Sequence, residues 1–193
     1  MAGAQSRQLV EHLTLLTLDQ LDAQVVREAR IRLLDGLGCG LYGAQMPWGK
    51  ITAEFAYAEK SQGGATVFGR QEPIAPSRAA LCNGTAIHGN ELDDIAQGAQ
   101  IHPGSVVIPA ALAAAEHCNA SGERLILGIV AGYEVMARVG RAIGAASWGF
   151  HITGVAGPVG AAVAAGVVLK LPTDKILRAI GVACSCAAGI KSF

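Results

Sequence analysis

The sequence has few charged residues, and they form no basic run. Lys, Arg, Asp and Glu make up 16% of its 193 residues, with a formal net charge of zero, against roughly 25% in average soluble proteins. Basic residues do not alternate with aromatic ones, so the pattern of a nucleic-acid-binding protein is missing. A chain this poor in charge must cover much of its surface, which predicts self-association or a covering segment that these residues lack.

The usual signs of export and membrane insertion are also missing. No apolar segment flanked by Lys or Arg opens the chain, so we expect no signal peptide. The five cysteines are scattered and odd in number, which is typical of reduced thiols in a cytoplasmic protein. Residues 142–169 contain no Asp, Glu, Lys or Arg, but Gly and Ala dominate them and gain little from transfer into lipid. We therefore expect a cytoplasmic protein with no membrane contact.

The apolar residues follow a helical period along almost the whole chain. The pattern predicts an all-α, multi-helix bundle of eight or nine helices, with one small β-hairpin formed by residues 65–68 and 70–76. The predicted helices cover residues 6–16, 19 or 22 to 41, 48–60, 76–90, 103–117, 121–143, 154–171 and 172–188.

Most polar residues that could do chemistry lie between positions 83 and 105. His88 and Glu91 are three apart and share a face of the predicted helix. His102 precedes another helix, where unpaired N–H groups and the helix dipole favour an anion. We therefore expect a substrate carboxylate at this helix start, next to a histidine that can move a proton.

Other interpretations of these residues stay open. Asp93 and Asp94 could cap or solvate a loop, and His88 could be a hydrogen-bonded core histidine. His151, at a second predicted helix start, could be a buried packing residue. His and Asp also bind metals, but no HxxxH, CxxC or two-His-one-carboxylate spacing is complete, so we expect no metal and no cofactor.

Several of these motifs resemble the signature of the MmgE/PrpD family. Their order and spacing match over essentially the whole chain, which predicts one helical domain spanning residues 1–193. The family includes 2-methylcitrate dehydratase, cis-aconitate decarboxylase and iminodisuccinate epimerase, which share proton chemistry next to a carboxylate. The matching segments are Asn83-Gly84, His88, Asp93-Asp94, His102-Pro103-Gly104, Pro109-Ala110, Glu116, Gly149-Phe150-His151, Gly154 and Ala187-Ala188-Gly189.

The resemblance implies a lyase, most simply a dehydratase that acts on a small di- or tricarboxylate such as 2-methylcitrate. It also implies a homodimer through the helical domain, no iron–sulfur cluster, a catalytic lysine beyond the last residue, and an α+β lid domain that this chain lacks. We therefore expect the 193 residues alone to be inactive. The alternatives are an isomerase similar to iminodisuccinate epimerase, or a non-catalytic dimerisation module with its interface on the helix from Gly154 onward.

The resemblance and the helix start together assign roles to single residues. One catalytic imidazole is expected to take the proton α to a carboxylate, while the other orients or protonates the leaving hydroxyl. The resemblance places Ile95 where the decarboxylase branch has a threonine, which argues against cis-aconitate decarboxylase, and the loop 94–102 is one residue longer than in that branch. The expected catalytic residues are His102, His151 and Asp93, and the expected substrate-binding residues are Glu91, Asp94, Gly104 and Ser105.

Overall fold

The computed structural model of the protein describes residues 2–144 and 149–191. Within these ranges the chain forms α-helices and one short 3-10 helix (Leu18–Gln20), and the all-α class is confirmed. In chain order the helices are α1 (Ala2–Leu15), α2 (Ala23–Gly43), α3 (Pro47–Ala58), α4 (Pro76–His88), α5 (Gly104–Cys118), α6 (Gly122–Ile143), α7 (Ile152–Val168) and α8 (Thr173–Cys186).

Local signals in the sequence set where several helices begin. The Asp22 carboxylate accepts a hydrogen bond from the backbone N–H of Gln24 at 2.7 Å and caps α2, and Ser121 caps α6 in the same way. Pro47 and Pro76 lie in the first turns of α3 and α4, where a missing N–H costs nothing. The predicted helices are therefore confirmed, with ends that differ by a few residues.

The predicted β-hairpin is reduced to one antiparallel bridge between Ala65 and Ile74, and no strand extends it within residues 2–144. The buried side chain of Asn83, on α4, takes the place of a partner strand. Its amide donates to the carbonyl of Thr66 at 2.8 Å and accepts from the N–H of Phe68 at 2.9 Å. Because one side chain satisfies these backbone groups, the segment needs no ladder of strand hydrogen bonds.

Helix α7 is the centre of the bundle, and none of its residues is exposed. It packs against α5, α6 and α8. At its crossing with α6 a Cβ added to Gly132 would lie 3.0 Å from the carbonyl oxygen of Gly160, so the two backbones approach closely only because both residues are glycine. The suggested dimer interface on the helix from Gly154 onward is therefore wrong, since neighbouring helices already cover that helix.

Three helix ends meet at one side of the bundle and carry the histidines. His88 is the last residue of α4, His102 lies two residues before α5, and His151 immediately precedes α7. In the two described ranges, no helix combines the length and the apolar composition that a membrane crossing requires.

Candidate active site

The buried carboxylate of Asp93 binds the imidazole of His88. Nδ1 of His88 lies 3.1 Å from Oδ1 and 3.3 Å from Oδ2 of Asp93. The Asp93 side chain has no exposed surface, whereas 28% of the His88 side chain is exposed. Helix α4 ends at His88, and Glu91 adopts a left-handed backbone with φ of 49°. The chain therefore turns back, and Asp93 becomes the partner of His88; the expected helix face shared by His88 and Glu91 does not form.

His102 lies on the other side of the same carboxylate. Its Nδ1 is 3.5 Å from Oδ1 of Asp93, and this buried nitrogen has no hydrogen-bond partner among the described residues. The rings of His102 and His88 are 4.9 Å apart between centroids. The backbone N–H of His102 donates to the Thr153 hydroxyl at 3.1 Å, and its carbonyl accepts from the Ser105 hydroxyl at 3.0 Å. Helices α5 and α7 thus both fix the position of His102.

His151 completes a group of three imidazoles. Its ring centroid lies 5.8 Å from that of His88. The backbone N–H of His151 donates to the carbonyl of Gly189 at 3.0 Å, and the N–H of Lys191 donates to the carbonyl of Gly149 at 2.7 Å. The segment after α8 therefore folds back along the start of α7 and holds His151 in place.

The neighbouring imidazoles differ in how readily they hold a proton. The hydrogen bond to Asp93 raises the pKa of His88, burial opposes it, and the charges of Asp93 and Glu91 add to the rise. Burial lowers the pKa of His151, and the nearby His88 and His102 lower it further. His88 therefore holds a proton more readily than the neighbouring His151, and such a difference between adjacent imidazoles suits acid–base chemistry.

Asp94 faces away from the histidines. Its Oδ1 accepts a hydrogen bond from the N–H of Gly104 at 2.9 Å, and its Oδ2 lies 3.8 Å from Nε of Arg32. The buried hydroxyl of the half-buried Tyr133 lies beside the same carboxylate; burial raises the pKa of Tyr133, and the charge of Asp94 adds to the rise. Burial likewise raises the pKa of Asp94. The anion at the start of α5 is thus Asp94 itself, in the place where the sequence predicted a substrate carboxylate.

The structure brings three predicted catalytic residues together and separates the others. Asp93, His102 and His151 lie in one cluster with His88, while Glu91 is exposed at its edge. The predicted substrate-binding residues Asp94, Gly104 and Ser105 lie behind His102, at the start of α5; their contact with substrate stays a prediction. The sequence prediction did not include His88 among the site residues. Asp93 follows His88 by five positions, just beyond the predicted helix, and this spacing could have indicated that the two side chains pair.

The donor atoms of His88, Asp93 and His102 also lie within 4.8 Å of one another, close enough to surround one metal ion. The sequence spacing did not show this set because the loop after α4 separates its members. Two of the three atoms are already joined by the His88–Asp93 hydrogen bond. The expectation of a metal-free site therefore stays a prediction.

The histidine cluster opens at the surface of the chain. Fractions of 28% and 18% of the His88 and His102 side chains are exposed. A cavity of about 1150 Å³ lies beyond Asp94, and its lining includes Arg32, Tyr133 and Pro103 but none of the three clustered histidines. A substrate would therefore reach the imidazoles from outside the bundle.

The family model described as the MmgE/PrpD N-terminal domain matches residues 7–193. The chain is 35% identical, over 97% of its length, to the cis-aconitate decarboxylase-like protein oryM of Aspergillus oryzae. It is 32% identical over 92% to the cis-aconitate decarboxylase of Aspergillus terreus, and 31% identical over 88% to that of Homo sapiens. The chain covers 41%, 38% and 37% of these proteins, or about two fifths of their length.

Proposed function

The chain belongs to the MmgE/PrpD family, and we propose that it forms the histidine-bearing helical part of a lyase for a small tricarboxylate of the cis-aconitate type. One observation carries the proposal: the rings of His102 and His151 both lie beside that of His88, although they are far apart in the sequence. The named relatives support the substrate class, since those compared above are described as cis-aconitate decarboxylases or as similar to one.

The proposed reaction is the loss of CO₂ from cis-aconitate. Breaking the bond between carbon and the departing carboxylate leaves an electron pair on the remaining carbon skeleton, and a proton must be delivered to it. One of the imidazoles of His102 and His151 donates this proton, and the other orients the substrate. A side chain placed for such a transfer typically contributes about 10²–10⁴-fold to the rate.

The start of α7 is the anion site that this geometry favours. The first N–H groups of a helix have no partner within it, and the helix dipole attracts negative charge. Asp94 already occupies the start of α5, whereas His151 forms the N-cap of α7 without a side-chain cap hydrogen bond. We therefore place one substrate carboxylate beside His151. The exposure of the cluster fits a cleft covered by the lid domain that the family resemblance implies.

A second candidate reaction is the dehydration of a 2-methylcitrate-like hydroxy acid. The family resemblance places Ile95, 54% exposed beyond the cluster, where the decarboxylase branch has a threonine. In this reaction one imidazole takes the proton α to a carboxylate, and the other protonates the departing hydroxyl, so that water leaves. The same two histidines serve both reactions.

Product analysis of the intact enzyme separates the candidates. Release of CO₂ from cis-aconitate supports decarboxylation, and conversion of 2-methylcitrate with loss of water supports dehydration. Failure of a folded enzyme to convert either acid would contradict the proposed substrate class.

Protection from chemical modification tests whether the site binds such anions at all. Diethyl pyrocarbonate modifies accessible imidazoles, and we expect cis-aconitate or citrate to slow its reaction with His102 and His151. The exposed His117, at the end of α5, serves as the internal control. Equal rates with and without the acids would favour a helical scaffold without a binding site.

We also propose that the helical domain pairs with a second copy. The resemblance implies such a homodimer, and large apolar side chains remain exposed on consecutive helices: Leu34 and Leu41 on α2, and Ile51 and Phe55 on α3, are 53–70% exposed. Light scattering coupled to gel filtration should give twice the mass of one chain. A monomeric mass at micromolar concentration would contradict the pairing.

A further inference from the structure

His88 is the imidazole of the cluster that forms a hydrogen bond with the buried Asp93 carboxylate. Asp93 lies within hydrogen-bond distance of His88 but only near His102. The carboxylate is fully enclosed, so its negative charge is compensated chiefly by these two rings. A buried carboxylate that is hydrogen-bonded to one imidazole stabilises the protonated form of that ring in preference to its neighbours.

Three imidazoles this close together cannot all carry a positive charge at low cost. The centroid of His88 is 4.9 Å from that of His102 and 5.8 Å from that of His151. Like charges at such distances repel by amounts that shift titrations by whole pH units when water is partly excluded. A proton held on His88 therefore disfavours a proton on His151.

We infer that His88 is a positioning residue of the site: bound to Asp93, it carries the positive charge of the cluster and thereby keeps His151 neutral. A neutral His151 orients the substrate while His102 donates the proton in the proposed decarboxylation, and it can accept the α-proton in the alternative dehydration. This inference rests on the proposed function of His102 and His151, to which it adds a third residue. His88 acts through its neighbour and needs no contact with the reacting atoms.

In the part of the chain that the structure describes, few other charged groups lie near His88 and His151. Asp93 and Glu91 act on His88 from the loop after α4, and both favour its protonated form. His102 faces it from the loop before α5, and His151 from the start of α7. Lys191, in the segment after α8, lowers the pKa of His151 in the same direction as His88 does.

Histidine titration by NMR tests the inference directly on this chain. Imidazole carbon and nitrogen shifts of the five histidines would be followed against pH in the wild type and in His88→Gln. We expect the His151 midpoint to rise in His88→Gln by about 0.5 to 2 pH units, the range given by a unit charge about 6 Å away in a water-like or a partly buried environment. An unchanged His151 midpoint in a folded His88→Gln chain overturns the inference.

A second variant of His88 separates the effect of its charge from that of its shape, and a distant histidine variant serves as the control. His88→Lys keeps a positive charge, so His151 should titrate close to its wild-type midpoint; a rise equal to that of His88→Gln would show that the charge is irrelevant. His117→Gln, far from the cluster in the last turn of α5, should leave His151 unchanged.

The same variant in the intact enzyme links the charge to catalysis. In His88→Gln the acid limb of the kcat/KM profile should move to higher pH by the same amount as the His151 midpoint, whereas a merely structural residue would lower activity at every pH without moving the limb. Loss of the proposed function would appear differently, as full turnover in His102→Gln and His151→Gln, and it would leave the NMR result unaffected.

Discussion

The carboxylate of Asp94 accepts a hydrogen bond from the backbone N–H of Gly104 at 2.9 Å, and this contact closes the loop that carries His102. The loop therefore begins at Asp94, beside the Asp93–His88 pair, and the Asp94 side chain binds the start of α5, where the loop ends. Asp94 also lies near Arg32 of α2 and Tyr133 of α6. Helices α2, α5 and α6 therefore all contact the residue at which the His102 loop begins.

Gly104→Ala should destabilise the chain. A Cβ at position 104 would lie 2.6 Å from Oδ1 of Asp94 and 3.1 Å from the Tyr133 hydroxyl, so the buried carboxylate must move. Overpacking of this kind costs about 1–3 kcal/mol, measurable as a lower urea midpoint. Gly98→Ala in the same loop is the matched control, since nothing lies within 4 Å of its added Cβ. Equal midpoints for the two variants would contradict the described packing at Gly104.

Thr153→Val should loosen His102 without changing the shape of α7. The hydroxyl of the buried Thr153 accepts from the His102 N–H at 3.1 Å, and valine leaves that donor without its partner, at a cost of about 1–3 kcal/mol. Hydrogen exchange at the His102 amide should accelerate in Thr153→Val and return to the wild-type rate in Thr153→Ser. Unchanged exchange in the valine variant would show that the hydroxyl does not hold the loop.

Asn83→Ala should free the segment around Thr66 and Phe68. Both hydrogen bonds of the Asn83 amide would be lost, and we expect a loss of about 1–3 kcal/mol in the free energy of unfolding together with faster exchange of the Phe68 amide. Thr85→Ala on the same helix is the control, because its hydroxyl bonds only to the carbonyl of Leu81. Slow exchange at Phe68 in Asn83→Ala would mean that another group pairs this backbone.

The stability of the chain should depend on pH through His88. Its pKa is raised in the folded chain by the bond to Asp93, so its contribution is fully present below the unfolded value of about 6.5 and is lost as the pH rises through the folded value. In His88→Gln this loss should disappear from a series of urea midpoints between about pH 5 and pH 9, while His117→Gln keeps it. A loss of the same size in His88→Gln would assign the dependence to another group.

The helices were predictable because their signals are local. Asp22, Ser121 and Pro76 act within one helical turn of the residues they organise. The hairpin prediction failed because the groups that satisfy the segment come from Asn83, a buried side chain on a later helix. No pattern within residues 65–76 could reveal that partner.

Only the site residues that belong to family motifs could be predicted from the sequence. His102, His151 and Asp93 were identified in this way, and the structure places them in one cluster. His88 was named among the motif residues but was given no role in the site, because its partner depends on where α4 ends and on the left-handed turn at Glu91. The role of Asp94 at the start of α5 depends on a contact across the loop, which spacing alone does not determine.

The most direct test of the account is the turnover of cis-aconitate by the intact enzyme in His102→Gln, His151→Gln and the double variant, with His117→Gln as the control. If both imidazoles act at one site, each single change should lower kcat/KM by about 10²–10⁴-fold, and the double variant should fall far less than the product of the two losses. Near-normal turnover in both single variants, or losses that simply multiply in the double variant, would contradict it.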